Sequence, residues 1–369
     1  MSAVVKRLLF AVAAVVVTIA LMICAFFAAD VYLHRRAERS AGLNLWGYRG
    51  PAVGRKGAGT VRVVVLGGST AFGYGVIWNE AFPAQLEQQL NASAPTHFEV
   101  VNLGYNSEGA YSFAFTLADY AYLRADVVVL YEGYNDLAAE LGQNRAVYRH
   151  QSPLFRITGY YPMLPLVLRE KAMAMRFGGN LNAAYGAAAE KTVFRVPLSV
   201  RATSGALDAA ADLGEVLERQ LARMSEAKTP AEVKVAVPSS ESALCAAPWG
   251  TYCASVAAAI DQARRAGQRV VFVRQPRLVH PVGSGLQVQQ QSAVHAMLRS
   301  RYAGARDVMY ADLSDAVDLT DSATTFDGMH LTVSGNGRIA ARLVRPILDV
   351  VAERGAVSAG PRAGEAESR

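Results

Sequence analysis

Cysteine and histidine are scarce, with three of one and six of the other in 369 residues. The histidines are scattered and none shares ligand spacing with a cysteine, so neither a metal site nor a cofactor is expected. Phosphate-binding signatures are missing too. Gly68 and Gly73 have the outer spacing of a Walker loop, but Tyr74 and Gly75 stand where Lys and Ser or Thr are required, and no G-x-G-x-x-G can be threaded through the segment. Excess charge is also small. The formal net charge is +6, and Lys6, Arg7, Arg35, Arg36 and Arg39 against Asp30 and Glu38 place +3 of it in the first 40 residues. What remains is too little for a nucleic-acid footprint, and no nucleic-acid partner is expected. No internal repeat is visible.

What is abundant is apolar surface, 52% of residues, which is enough to bury a sizeable core and too much for a disordered chain. The longest apolar run is Leu8 to Ala29, 22 residues without a charge. As a helix it would be about 33 Å long, the thickness of a bilayer's hydrocarbon. A cleaved signal peptide has a shorter apolar region and a small-x-small site, which Ala25 to Ala29 fit poorly. Lipidation at Cys24 wants a small residue before it, and Ile23 is not small. The run therefore predicts a single transmembrane anchor. Orientation receives two opposed signals. The positive-inside rule, comparing Lys6 and Arg7 with Arg35, Arg36 and Arg39, puts the bulk of the chain in the cytoplasm. Cys245 and Cys253, close together in LCAAPWGTYCA, either pair, which requires an oxidising compartment, or stay as two buried thiols. The expectation adopted is that the domain following the anchor is exported, periplasmic or extracellular.

Beyond the anchor, strand and helix signals alternate. Short β-branched runs at Val61 to Leu66, Phe98 to Asn102, Val127 to Tyr131, Arg269 to Val273 and Val308 to Ala311 are bounded by glycine, proline or polar residues. Apolar spacing of three and four marks helices at Phe82 to Leu90, Thr251 to Ala266, Leu286 to Tyr302 and Thr332 to Arg354. Continuously apolar strands joined by helical crossovers predict a three-layer α/β sandwich of flavodoxin-like type, with a central five-stranded parallel sheet buried on both faces. In such sheets ligands bind beyond the carboxyl ends of the strands.

The rhythm breaks between Tyr148 and Ser240, where no strand run occurs and an amphipathic helix is marked by Leu213, Val216, Leu217, Leu221 and Met224. The expected organisation is an anchor with its basic flank over residues 1–40 and an α/β domain over 41–356. That domain carries a largely helical insertion at about 148–240, and a disordered tail covers 357–369. Within the insertion, Leu154 to Phe177, punctuated by Arg156, Arg169, Lys171 and Arg176, reads as a cap on the sheet or as a membrane-facing lid. Pro162 and Pro165 break any single amphipathic helix and favour the cap.

Four motifs stand at strand ends. VVVLGGSTAFGYG places Ser69 where the first apolar run stops; taken alone it is equally a turn with a serine helix cap. NLGYNSEG, after the second strand, exposes backbone N–H groups at its glycines. GYND, after the third, offers the Asn135 amide. DGMHLT, near the carboxyl terminus, puts Asp327 three residues before His330, a spacing that lets the carboxylate hold one ring nitrogen while the other faces outward. A nucleophile, an oriented base and two sources of donors are what acyl transfer requires.

Together these residues resemble the SGNH hydrolases, also called GDSL esterases and lipases, over roughly residues 45 to 350. The four blocks of that family look like GGST at Gly67 to Thr70, NLGYNSEG at Asn102 to Gly109, GYND at Gly133 to Asp136 and DGMH at Asp327 to His330. The resemblance implies Ser69 as nucleophile, His330 as general base and Asp327 as the residue that orients it. It implies Asn135 and backbone N–H groups, including that of Ser69, as the oxyanion hole. Two positions depart from the pattern. The Asp usual before the serine is Gly68, expected only to relax the turn. In the second block Ser107 falls where an oxyanion glycine is usual, while glycines lie at Gly104 and Gly109, so all three are candidate donors.

The family hydrolyses lipid esters, thioesters and O-acetyl groups of carbohydrates, and some members transfer acyl groups instead. An anchored, exported enzyme points to envelope or extracellular esters, with O-acetylated polysaccharide first and lipid second. Set against an esterase are an O-acyltransferase using the same site, a catalytically silent membrane-anchored interaction module, and a flavodoxin-like phosphate or nucleotide binder. The last predicts a basic or glycine-rich first loop, where Phe72 and Tyr74 stand. A G-x-S-x-G hydrolase is opposed by Ala71 in place of the final glycine and by the short Asp327 to His330 spacing.

Overall fold

A computed structural model describes residues 2–40, 42–106, 108–137, 153–164, 167–168, 244–279 and 281–358. The chain divides into two compact units. The smaller comprises Met1–Ser40, Asn44–Gly47 and Ser152–Thr229, and the larger Ala41–Leu43, Tyr48–Gln151 and Pro230–Arg369.

The larger unit is built on five strands: β1 (Val61–Gly67), β2 (Phe98–Asn102), β3 (Val127–Tyr131), β4 (Arg269–Arg274) and β5 (Val308–Asp312). They form one parallel sheet in the order β2-β1-β3-β4-β5. The strands form because their β-branched runs have covered faces on both sides: in β1 every residue after Val61 is buried, and in β3 all five are. The architecture is thus the expected α/β fold with a five-stranded parallel sheet. Strand bounds differ from expectation by a residue at most.

The helices of this unit are α2 (Ser69–Phe72), α3 (Phe82–Ser93), α4 (Phe113–Asp119), α6 (Gly250–Arg265), α7 (Pro281–Arg301) and α8 (Val333–Ser358), with α5 (Pro153–Thr158) belonging to the smaller unit. On one face α3 and α8 pack together over the sheet. Phe82, Leu86, Leu90, Ile339, Leu343 and Ile347 meet Val63, Val65, Val127, Val129 and Val271 in one buried cluster. Side chains of this size contribute about 1.5–3 kcal/mol each when fully buried. On the other face lie α4 and α6, which pack on each other, with Val256, Ile260 and Ala263 of α6 fully buried. At the sheet's amino-terminal end the buried Arg62 is held by Glu99 at 2.6 Å and by the carbonyls of Leu123 and Gly54, so that end is closed by structural bonds.

Three helices depart from the sequence reading by more than a residue, α3 running three residues past Leu90 to Ser93. Helix α7 begins at Pro281 rather than Leu286, because proline is suited to the first helical position and Gly283 and Gly285 are carried within the helix. Helix α8 runs through Pro346 to Ser358, two residues into the stretch expected to be disordered; residues 359–369 lie outside the described ones.

The order 2-1-3-4-5 has its switch point between β1 and β3, because the connection from β1 leads to one side and the connection from β2 returns across it. The loops after these two strands carry Ser69 and Asn135.

In the smaller unit one helix among the described residues, α1 (Ala3–Ser40), contains a span long and apolar enough to cross a membrane. Just past the apolar run, Asp30 and His34 are buried. Asp30 accepts from the Tyr160 hydroxyl and the Leu164 N–H, and His34 Nε2 lies 2.5 Å from the Tyr161 carbonyl. Of the residues 148–240 expected as a helical insertion, only 153–164 and 167–168 are described. The amphipathic helix around Leu213, with Arg169, Lys171 and Arg176, lies outside them.

Candidate active site

The apolar run of β1 ends at Gly67, and the chain turns at once into α2, whose first residue is the half-buried Ser69. Thr70, Ala71 and Phe72 face inward. The serine is therefore presented at the carboxyl edge of the sheet by a turn whose other side chains are committed to the core. Two tethers fix that turn. Asn102, at the end of β2, donates its amide to the carbonyls of Ala71 (3.1 Å) and Phe72 (3.3 Å). Arg49 donates to the carbonyls of Phe72, Gly73 (2.7 Å) and Val76, with its guanidinium 4.2 Å from the Phe72 ring. Burial without a carboxylate lowers the Arg49 pKa to about 10.

His330 Nε2 lies 2.9 Å from Ser69 Oγ, and His330 Nδ1 lies 2.5 Å from Asp327 Oδ2. The second carboxylate oxygen of Asp327 accepts the backbone N–H of His330 (2.6 Å) and of Met329 (3.0 Å). The loop is closed by Thr325, whose hydroxyl donates to the His330 carbonyl (2.8 Å) and accepts from the Gly328 N–H (3.0 Å). Partial burial pushes the Asp327 carboxyl up, but the ring and backbone hydrogen bonds and the imidazole's charge outweigh it, and the group titrates below the usual carboxylate range. A carboxylate so held can fix one ring nitrogen of His330 and leave the other facing the serine. Two half-exposed rings border the imidazole, Tyr74 with its centroid at 4.9 Å and Phe326 at 5.8 Å and nearly parallel.

Asn135, on the turn after β3, donates Nδ2–H to the Glu108 carbonyl (2.8 Å), which leaves one amide hydrogen for another acceptor. Its amide lies against Gly68: a β-carbon at that position would overlap Asn135 Nδ2. Gly68 is therefore more than the turn relaxer the sequence suggested, since it admits the amide beside the Ser69 backbone. Of the three second-block candidates, Gly104 donates its N–H to Asn102 Oδ1 (3.0 Å), and a β-carbon there would strike the backbone of Ala71 and Phe72. Its expected role as a donor to substrate gives way to one of close packing beneath α2. Gly109 lies against the Asp136 carboxylate, and the next N–H, of Ala110, donates to Asp136 Oδ2 at 2.9 Å. Ser107 lies outside the described residues.

No family model matches the sequence, and no curated protein does. Among solved structures the chain is similar to a catalytic mutant of the acetylxylan esterase Axe2 from Geobacillus stearothermophilus, at 10% identity over 80% of this chain and 96% of that one, with a TM-score of 0.41. It is similar to the psychrotrophic esterase EstA from Pseudoalteromonas sp., at 10% identity over 79% and 98% with a TM-score of 0.41. A member of the lipolytic protein G-D-S-L family from Veillonella parvula is similar at 10% identity over 77% and 97%, with a TM-score of 0.39. At such identities and scores these likenesses carry no residue role across, and the function has to be argued from the chain's own geometry.

That geometry also involves residues the motifs did not mark. Gln275, after β4, donates Nε2–H to Thr70 Oγ1 (3.0 Å) and accepts the Tyr134 N–H (3.0 Å), so it ties the turn after β1 to the one after β3. Glu132, the first residue after β3, accepts the Asn135 N–H at 3.2 Å. A polar residue directly behind an apolar strand was the only sequence signal for either.

Proposed function

We propose that the protein is a serine esterase of the SGNH type. The observation that carries this reading is the hydrogen-bonded series Ser69 Oγ, His330 Nε2, His330 Nδ1, Asp327 Oδ2 at the carboxyl edge of a parallel sheet. His330 takes the Ser69 proton as Oγ attacks an ester carbonyl, and Asp327 balances the imidazolium that results. The developing oxyanion is met by the remaining Asn135 amide hydrogen and by backbone N–H groups at the same edge, including that of Ser69. His330 then protonates the leaving alkoxide. In the second half-reaction it deprotonates a water, which releases the acid and restores the serine. A hydroxyl in place of water makes the same site an O-acyltransferase. A silent interaction module has no need for a nucleophile, base and carboxylate held within hydrogen-bond distance.

The substrate proposed is an O-acylated, foremost O-acetylated, carbohydrate. Tyr74 and Phe326 are half-exposed aromatic rings that both border His330, the kind of surface on which a sugar ring packs while its ester reaches Ser69. A single transmembrane anchor over residues 1–40 is supported by the apolar span of α1. Export of the α/β domain over 41–356, with its insertion at 148–240, is supported by the disulfide between Cys245 and Cys253.

The test is hydrolysis of p-nitrophenyl acetate and longer-chain esters by the detergent-solubilised full chain, wild type beside Ser69→Ala. Activity abolished by the substitution, with acetate preferred, is the expected result. Equal background rates refute hydrolysis, and a transferase assay with saccharide acceptors then decides between transfer and a silent site.

A further inference from the structure

Beneath the turn that carries Asn135 lies a pair of carboxyl groups that the proposed chemistry does not use. Glu132 is 1% exposed. Its Oε1 accepts the Asn135 N–H, while Oε2 has no hydrogen-bond donor. Asp136, four residues on, lies beside Glu132 and accepts the Ala110 N–H from the loop after β2. The two loops that flank Ser69 are thus joined twice, by Asp136 to Ala110 and by Asn135 Nδ2 to the Glu108 carbonyl.

The groups facing this pair come from four elements. Tyr134 is on the same turn, Tyr131 on β3, Glu108 and Tyr111 on the loop after β2, and Tyr252 on α6. No cation is among them in the described residues. Two ionised carboxylates side by side, Glu132 fully buried and Asp136 half-buried, would repel each other with no facing cation to compensate. A proton on Glu132 removes both defects at once: it makes Oε2 a donor to Asp136, and it leaves a single negative charge shared by the pair.

Resting on the esterase reading above, we propose that Glu132 is a positioning residue: a neutral acid that donates its proton to Asp136 while accepting the Asn135 N–H, so holding the oxyanion-binding amide in place. Burial, reinforced by the charges of Asp136 and Glu108, pushes the Glu132 carboxyl well above its ordinary range, and burial raises Asp136 to about 6. Withdrawing the shared proton at high pH therefore loosens the clamp. The enzyme loses kcat on its alkaline side through a group that is neither Ser69 nor His330.

The experiment uses the detergent-solubilised full chain as wild type, Glu132→Gln and Glu132→Ala. The amide of Glu132→Gln can still donate to Asp136 and accept from Asn135, but it cannot ionise. Expected are a fall in kcat of about a hundredfold in Glu132→Ala with KM little changed, recovery of most of that loss in Glu132→Gln, and disappearance of the alkaline limb in Glu132→Gln. An alkaline limb that persists in Glu132→Gln, or equal kcat in all three forms, overturns the proposal.

Two readouts do not depend on activity. Infrared difference spectra should show the C=O stretch of a neutral carboxylic acid at neutral pH in wild type and not in Glu132→Gln. Hydrogen exchange of the segment around Asn135 should accelerate in Glu132→Ala and in alkaline wild type. Absence of either effect also overturns it. If no ester is hydrolysed even by wild type, the esterase reading fails, and the infrared and exchange results still decide the state of Glu132.

Discussion

The amide of Asn135 occupies the space a β-carbon would need at Gly68. One residue before the serine, the chain thus gives up a side chain so that a donor from the turn after β3 can stand beside the Ser69 backbone. Substituting Gly68 by Ala, or by the Asp usual at this place in SGNH sequences, should push the amide away. Since Gly68 has φ of −80°, which any residue tolerates, the effect should be steric and local. We expect kcat to fall on the order of a hundredfold with little change in KM or melting temperature. Steady-state kinetics beside a thermal melt check this, and an unchanged kcat refutes the role given to Asn135.

Asp327 makes a different kind of contribution, because it never meets the substrate. In Asp327→Asn the side chain can still hydrogen-bond the ring, but with an amide hydrogen where Nδ1–H now points, which favours the wrong tautomer of His330. A loss of about 10³- to 10⁴-fold in kcat is the scale for such an error. The wild-type carboxyl, held below its usual range, contributes stability that is present above its ordinary pKa and lost only as pH falls through the lower folded value. The Asn variant should therefore lack that part of the acid-side loss of melting temperature.

The carboxyl pair beneath the oxyanion loop has the opposite sign. Asp136, raised from 3.8 to about 6, favours the fold while protonated, and that contribution declines as pH rises from its ordinary value through the folded one. Melting temperatures measured from pH about 4 to 8 should thus fall less steeply in Asp136→Asn than in wild type. Identical slopes would mean that the group is not raised at all.

How far the sequence reached can be judged element by element. A parallel strand buried on both faces has no polar face, so β3 stands out as an apolar block, while the edge strand β2 carries Glu99 and is marked by its β-branched pair and polar flanks; for both, expected and observed bounds coincide. Ser69, Asn135, Asp327 and His330 were legible because each motif sits where a strand or turn ends, and the structure brings them to one edge. Arg49 and Gln275 were not, because each acts on groups of another loop and only the strand order says which loops are neighbours, and Glu132 was not, because its bond to the Asn135 N–H lies within a turn whose fold no motif marks. Gly104 misled for a related reason: its N–H was available on paper, but Asn102, two residues earlier, turns its own side chain back to take it.

The Cys245–Cys253 bridge left two readings open in the sequence, and the structure closes it. A loop with a sequence separation of 8 should contribute about 2–3 kcal/mol, mostly by restricting the unfolded chain. The double variant Cys245→Ser/Cys253→Ser should lower the denaturant midpoint accordingly while leaving kcat near wild type, because α6 lies on the face of the sheet away from α3 and α8, and no hydrogen bond joins either cysteine to Ser69, Asp327 or His330 among the described residues. Thiol labelling of whole cells with a membrane-impermeant maleimide, before and after reduction, tests the exported location in the same protein. Labelling of Cys245 and Cys253 only after reduction is expected, and free thiols at those two positions in the native protein, or no labelling even after reduction, refute export into an oxidising compartment.

Tyr74 and Phe326 give the most direct test of substrate class, because both rings border His330 and neither is needed for the fold. About half of each is exposed, so truncation to Ala opens little cavity and should cost under about 1 kcal/mol of stability. If the rings carry a sugar, Tyr74→Ala and Phe326→Ala should raise KM for acetylated xylo-oligosaccharides by about five- to tenfold, the equivalent of one aromatic contact. The small ester p-nitrophenyl acetate, which reaches only Ser69 and the oxyanion donors, should be hardly affected. If the rings instead guide an acyl chain, the same variants will raise KM for p-nitrophenyl octanoate and leave the acetylated saccharide unchanged. The ratio of the two effects separates a carbohydrate deacetylase from a lipase, because the nucleophile, the base and the oxyanion donors are common to both and cancel.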